Sequence, residues 1–237
     1  MDPRALLIDA YGTLLRLDPP APALRAVLRE RFGVEVSEAD AAAAFTAEIA
    51  YYRLHLGEGR DEDSVAELRS RCAGVLGRAL PASAALRAVT SEELATALLD
   101  SLRFRVFDDA LPALAAVRRR GVRIVVVSNW DVSLPATLAA LGVLDAVDGV
   151  VTSAACAAAK PDPAVFTAAL RLAGVEPPEA IHIGDSLEED VAGARAAGIE
   201  PLLLVRGSAP APAGVRSLRS LVELPRLLDR ASEAVRG

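Results

Sequence analysis

Aromatic residues make up only 4% of this 237-residue chain, although 52% of it is hydrophobic. A core so short of rings must be built from Ala, Leu and Val, which suits helices packed on a Val-rich parallel sheet. Cysteine is nearly absent: Cys72 and Cys156 are the only two. One distant pair could form a single disulfide, but two free, partly buried thiols are the expectation. No apolar run approaches the roughly 20 residues of a membrane-spanning helix. The first run, Ala5 to Ile8, is broken by Asp9, well short of the about 7–15 residues of a signal-peptide core. A cytoplasmic protein without a membrane partner is expected. Long basic blocks are also missing and the net charge is −6, so nucleic acid is not an expected partner. The triplet Arg118-Arg119-Arg120 reads as a solvated helix end. Lysine is reduced to one, Lys160; the rest of the 26 basic residues are arginine. A lysine kept against that bias marks a task for a compact ammonium, or is an ordinary surface residue kept by chance. Composition alone does not separate the two.

What is there is a repeated alternation of elements. Five short, continuously apolar segments read as strands buried on both faces: Ala5–Asp9, Val122–Ser128, Gly149–Thr152, Ala180–Gly184 and Pro201–Val205. Helical periodicity separates the later four, at Ala110–Arg120, Ser133–Leu141, Pro163–Ala173 and Glu189–Ala197. Gly121, Gly142, Gly174 and Gly198 stand where helix stops belong. This pattern predicts an α/β fold, a three-layer sandwich with a mostly parallel, Rossmann-like sheet. The stretch 16–103 differs. It shows no convincing strand and reads as helices at Pro22–Phe32, Ser37–His55, Asp61–Leu76 and Ser91–Ser101, with Ser37 and Ser91 as N-caps. It is expected to be an inserted all-helical cap domain, with 1–15 and 104–237 forming the core. A Pro/Ala/Gly-rich loop, Ser208–Gly214, precedes a last predicted helix, Leu221–Val235.

Ligands of open α/β sheets bind at the carboxyl ends of the strands. Here those ends carry a concentrated set of polar residues. Strand one ends in Asp9-Ala10-Tyr11-Gly12-Thr13 and strand two in Ser128-Asn129-Trp130-Asp131. Lys160-Pro161-Asp162-Pro163 follows strand three, and Gly184-Asp185-Ser186 closes strand four, with Asp190 five residues past Asp185. Taken singly, Asp9 could be a strand-end cap and Asp190 an external helix cap. Together they place acids, a hydroxyl and the sole lysine on one rim.

These motifs, in this order and with the helical insert after the first, resemble the haloacid dehalogenase-like hydrolase superfamily. The segment from Gly184 to Ala194 is the most specific part. The resemblance implies an enzyme whose nucleophile is Asp9, forming a covalent aspartyl intermediate. It implies that Thr13 holds the nucleophile loop and donates a hydrogen bond, and that Ser128, beside Asn129, donates to an oxygen of the transferred group. It implies that Lys160 neutralises the charge of nucleophile plus substrate. Mg2+ is implied as cofactor, ligated by Asp9, Asp185 and the Tyr11 backbone carbonyl, with Asp190 supporting the site. The partner is then a small anionic molecule, and the chain a monomer or homodimer. On the predicted cap helix, Tyr51-Tyr52-Arg53 offers Arg53 as a possible substrate contact. Its plainer reading is a solvated helix face with two aromatics packed inward. Trp130 is read as packing, His182 as a satisfied interior residue and His55 as a cap-surface residue.

Two features pull apart. The family's phosphatases usually carry Asp two residues after the nucleophile, to protonate the leaving alkoxide. Here Tyr11 stands there, as in the 2-haloacid dehalogenase branch, whose halide needs no proton. Those dehalogenases use no metal and have Ser where this chain has Asp185. A second carboxylate beside Asp9 repels it, and a cation resolves the conflict. The expectation is therefore a Mg2+-dependent phosphatase, with dehalogenase second and a catalytically weak ligand-binding member third.

Overall fold

The computed structural model describes residues 3–208 and 210–233. They fall into two units, one with the chain up to Arg16 and from Val106 onward, the other Leu17–Arg105. The first unit opens with β1 (Ala5–Ile8), all four residues buried. β2 (Leu15–Leu17) follows and carries the chain out of it.

The second unit is helical: α1 (Pro20–Phe32), α2 (Glu38–His55), α3 (Glu62–Ala79), α4 (Ala84–Ala88) and α5 (Ser91–Ser101). Its core is aliphatic with one ring, and includes Leu24, Leu28, Ala44, Phe45, Leu68, Leu76 and Leu98. Its helix starts are chemically specified. Ser37 accepts from the Asp40 amide, Asp61 from the Ser64 amide and Thr90 from the Glu93 amide. Each satisfies a backbone N–H that the helix itself cannot. The cap of α5 is thus Thr90, where the sequence reading placed Ser91. Thr90 sits three residues before Glu93, which returns the bond to complete a capping box.

β3 (Phe104–Val106) pairs with β2 in a two-stranded ribbon through which the chain passes in both directions. The core then runs α6 (Ala110–Arg118), β4 (Arg123–Ser128), α7 (Leu134–Ala140), β5 (Gly149–Thr152), α8 (Ser153–Cys156), α9 (Pro163–Ala173), β6 (Ala180–Gly184), a π-helical turn (Leu187–Ala192), α10 (Gly193–Ala196), β7 (Glu200–Leu204), β8 (Ser217–Leu218) and α11 (Leu224–Glu233). Residues 234–235 of the predicted last helix lie outside the described residues. The sheet order is β5-β4-β1-β6-β7-β8, with every pairing parallel. One face packs Ala5, Leu7, Val125 and Val127 against Val165, Phe166 and Ala169 of α9 and Ala194 of α10. Leu6, Ile8, Ile124 and Val126, which alternate with those strand residues, are fully buried too, and α6 packs on β4 and against α11. The result is the three-layer α/β sandwich expected.

β1 lies between β4 and β6, where the chain reverses its direction of travel across the sheet, so Asp9 emerges at the topological switch point. The four predicted helix-stop glycines all have positive φ, between 68° and 74°. The ribbon strands, β8 and α4 escaped the sequence reading, each too short to show a period. The predicted helix Glu189–Ala197 is instead the π-turn leading into α10. Cys72 and Cys156 are thiols, not joined in a disulfide. Among the described residues no helix is long and apolar enough to cross a membrane.

Candidate active site

Buried polar side chains gather at the carboxyl ends of β4, β1 and β6. Asp9, directly after β1, is 4% exposed, and its amide donates to the Ile183 carbonyl of β6 at 2.9 Å. Lys160 Nζ donates to Asp9 Oδ1 at 2.7 Å and to Asp190 Oδ1 at 2.6 Å. Ser128 Oγ, at the end of β4, donates to the same Asp9 oxygen at 3.3 Å. Asp9 Oδ2 is buried without a partner, as is Thr13 Oγ1. The hydrogen bonds of the Asn129 side chain go to the lysine's backbone. Asn129 Oδ1 accepts from the Lys160 amide at 2.7 Å, and its Nδ2 donates to the Lys160 carbonyl at 3.0 Å.

Asp190 is held from three sides. Besides Lys160, His182 Nε2 lies 2.9 Å from Oδ1, and the Ser186 amide donates to Oδ2 at 3.0 Å. The π-turn brings it inward, because the Val191 amide reaches back to the Ser186 carbonyl. Gly184 leaves the space the carboxylate fills: a Cβ there would lie 2.1 Å from Asp190 Cγ. At Gly12, φ is +87° and a Cβ would fall 2.0 Å from an Asp185 carboxylate oxygen. Both glycines make room for carboxylates, which is why neither position admits a side chain.

The electrostatics are unequal. Burial raises Asp9's pKa most; Lys160 lowers it, and Asp190 and Asp185 raise it further, leaving it at about 6. Burial also acts against Asp190, but Lys160 and His182 outweigh it and hold that carboxyl below its ordinary range. Burial disfavours the Lys160 ammonium, yet the two flanking carboxylates raise its pKa above the usual value. One cation is thus shared by two buried anions, and Asp9 is the less neutralised. Burial, then Asp190, raise the Asp185 carboxyl. Oxygens of Asp9, Asp185 and Asp190 lie within 4.8 Å of one another. Asp190 already has three donors, so Asp9 and Asp185 are the pair with oxygens to offer a cation. Hard oxygen donors of this kind suit Mg2+.

A family model described as haloacid dehalogenase-like hydrolase matches residues 3–198. The chain belongs to the haloacid dehalogenase-like hydrolases. Among relatives, haloacid dehalogenase-like hydrolase domain-containing protein 3 of Bos taurus is 42% identical over 113 residues, 48% of this chain and 45% of that protein. The chain thus spans about half the length of the first curated relatives it matches. Phosphoglycolate phosphatase of Rhodospirillum rubrum is 33% identical over 92% of this chain and 86% of its own. A phosphatase structure of the family from Thermococcus onnurineus superposes with TM-score 0.67 at 26% identity, covering 95% of this chain and 97% of that one. L-2-haloacid dehalogenase of Xanthobacter autotrophicus gives TM-score 0.67 at 23% identity over 96% and 98%, a likeness of fold alone.

Within this haloacid dehalogenase-like core, Asp9, Ser128, Lys160, Asp185 and Asp190 come together, with Asn129 behind Lys160. Tyr11 is 44% exposed, so its phenol is not part of the buried cluster. Arg53 is an exposed residue of α2, in the other unit. His55 is half-buried rather than on the surface, stacked on Tyr51 at 4.0 Å between ring centroids.

The sequence reading missed Arg206, at the carboxyl end of β7. Its guanidinium donates to the Thr13 carbonyl at 2.7 Å and the Gly12 carbonyl at 3.3 Å. It forms a two-pronged pair with Asp109 at 2.9 and 3.1 Å and lies 3.7 Å from the Phe107 ring centroid. Burial would raise the Asp109 carboxyl, but hydrogen bonds from Arg206, Ser220 and the Leu221 amide outweigh it and hold it low. Arg206 therefore ties the turn after Asp9 to the start of α6 and to the C-terminal segment. Its signal was its place on the same strand-end rim, hidden among many arginines.

Proposed function

We propose that the protein is a Mg2+-dependent phosphatase acting on a small phosphorylated metabolite through an aspartyl-phosphate on Asp9. The observation that carries this reading is the buried, unpartnered Asp9 Oδ2, beside a lysine-paired Oδ1, on a carboxylate with an oxygen within 4.8 Å of one of Asp185. One oxygen is held and the other is free to react or bind a cation. Mg2+, held by Asp9, Asp185 and the Tyr11 backbone carbonyl, would supply charge neutralisation where two carboxylates and a phosphoryl group meet.

In this reading Asp9 Oδ2 attacks phosphorus, the bond to the alcohol oxygen breaks, and water then attacks phosphorus to release inorganic phosphate and regenerate the carboxylate. Lys160 offsets the added negative charge, and Ser128 donates to a non-bridging oxygen. Asp190 and Asn129 hold Lys160. Thr13 steadies the nucleophile loop through its backbone carbonyl, which accepts from Arg206. The departing alkoxide takes its proton from the Tyr11 phenol or from solvent. A phenol is a weaker acid than a carboxylic acid, so substrates with good leaving groups are favoured. The helical unit is proposed as a cap, with Arg53 available to an anionic substrate tail. The phosphatase names of the Rhodospirillum and Thermococcus relatives support the reaction class.

Tyr11 favours a second reading, 2-haloacid dehalogenation, in which Asp9 displaces halide. Asp185 speaks against it, because an uncompensated carboxylate beside the nucleophile deters attack on an anionic haloacid. Hydrolysis of p-nitrophenyl phosphate, with Mg2+ and then with EDTA, separates the readings. Turnover that EDTA abolishes is expected. No turnover in either condition, with halide released from 2-chloropropionate, would replace the phosphatase reading. Metal binding without turnover on either substrate would favour a ligand-binding member.

A further inference from the structure

We infer that His182 is a positioning residue that fixes the Lys160 ammonium against Asp9 by way of Asp190. The inference concerns a residue outside the motifs and rests on Lys160 serving the reaction proposed above. His182 lies within β6, opposite Leu7 of β1, and is fully buried. A polar side chain placed there must find a partner or leave its desolvation uncompensated. Its Nε2 is 2.9 Å from Asp190 Oδ1. A carboxylate oxygen has no proton to give, so Nε2 is the donor. Nδ1 has no partner, and a bare ring nitrogen there avoids an orphan donor. The imidazole plane is set by Phe166, edge-on at 88° with 5.0 Å between ring centroids.

The consequence lies in which oxygen His182 takes. Oδ1 of Asp190 is the oxygen that also receives Lys160, at 2.6 Å, while Oδ2 is occupied by the Ser186 amide. With donors on both oxygens, the carboxylate cannot rotate without breaking a buried hydrogen bond. His182 also draws electron density from Oδ1, which weakens the hold of Asp190 on the ammonium. Lys160 stands between two carboxylates of one charge, and the share that reaches Asp9 depends on how strongly Asp190 competes. Without the His182 hydrogen, Asp190 compensates by drawing Lys160 toward itself. Asp9 then loses part of its hold on the Lys160 ammonium, and so does the negative charge that develops during attack. Substrate contacts elsewhere are untouched, so the effect falls on kcat.

The test has two arms. First, in protein labelled with 15N at histidine, only two imidazoles contribute, His55 and His182. At mildly alkaline pH, the His182 spectrum should show its proton on Nε2 and none on Nδ1. His55, whose Nδ1 faces the Tyr51 carbonyl at 2.7 Å, should show the opposite tautomer. A proton on His182 Nδ1 with Nε2 bare would overturn the pairing, whatever reaction the enzyme performs. Second, His182→Leu and His182→Gln are compared on p-nitrophenyl phosphate. Leu removes the donor; the Gln amide can still reach Asp190. The Leu variant should lose about tenfold in kcat, the lower end for residues that orient a reacting group, with KM little changed, and Gln should restore most of it. Equal kcat in wild type and Leu would overturn the inference. So would a folded Gln variant that fails to recover kcat, which would mark His182 as packing alone. If wild type lacks phosphatase activity, the phosphatase reading fails while the tautomer arm still decides the pairing.

Discussion

The two units solve burial differently. In the helical unit, Leu17–Arg105, the buried polar residues are Glu48 and Ser101 among those described. Ser101 Oγ donates back to the Ala97 carbonyl of its own helix. In the sheet unit, Asp9, Thr13, Ser128, Asp131, Thr152, Ser153, Lys160, His182 and Asp190 are all buried. Most of them sit at or near the carboxyl ends of β1, β4 and β6. The helical unit is organised for stability, with caps on its helices and an aliphatic core. The rim of the sheet concentrates groups whose desolvation is only partly compensated, as expected where charge must be available for chemistry. Substitutions in the two places should therefore have opposite profiles.

The largest contrast is expected at Asp9. Asp9→Asn should lower kcat by about 10⁴-fold or more, as for other nucleophile replacements, while thermal unfolding shows no loss of stability. The under-neutralised carboxylate is a burden in the metal-free fold, so its removal relieves repulsion from Asp185 and Asp190. Next is Lys160→Met, which should abolish turnover and also destabilise the fold by about 3–5 kcal/mol in urea unfolding, because two buried carboxylates lose their shared partner. Arg206→Ala should cost less, about 1–3 kcal/mol of stability from the carbonyls and Asp109 left without their donor, and should lower kcat by loosening the Gly12–Thr13 turn.

Activity and stability should respond to pH in opposite directions. Attack requires the Asp9 carboxylate, whose pKa is raised from 3.8 to about 6, so kcat/KM at low Mg2+ should fall as pH drops through about 6. A bound cation competes with the proton, and raising Mg2+ should move that limb to lower pH. For stability the sign is reversed. The folded state binds this proton more tightly than the unfolded chain, so the contribution of Asp9 to metal-free stability improves as pH falls from about 6 toward 3.8. The smallest effect is expected at Glu48, a buried carboxyl of the helical unit, raised by burial and bonded to Cys72. Glu48→Gln should change stability by about 1 kcal/mol or less and leave turnover as it was. A larger loss of turnover than at Arg206 would break the division of labour between the units.

Much of this arrangement was legible in the residues, for physical reasons. Continuous runs such as Ile124–Val127 announce strands covered on both faces, and polar residues at their ends stand out. Ser37 announces a helix start because few side chains can accept from the first free amides. What escaped was whatever lacked a period or a contrast. β2, β3 and β8 are two or three residues long. The π-turn around Asp190 has no signature distinct from an α-helix, so the inward aim of that carboxylate could not be read. His182 looked like part of an apolar strand because the partner that explains it lies eight residues on, across that turn. Arg206 was one arginine among many until the fold placed it beside the nucleophile loop.

On the proposed pathway the free oxygen of Asp9 becomes covalently bonded to phosphorus. Acid quench of the enzyme during turnover of p-nitrophenyl phosphate with Mg2+, followed by peptide mass spectrometry, tests it most directly. A phosphate is expected on the N-terminal peptide, at Asp9, and none in Asp9→Asn. Steady turnover with Asp9 unmodified at every quench time, or a phosphate on another side chain, would contradict it.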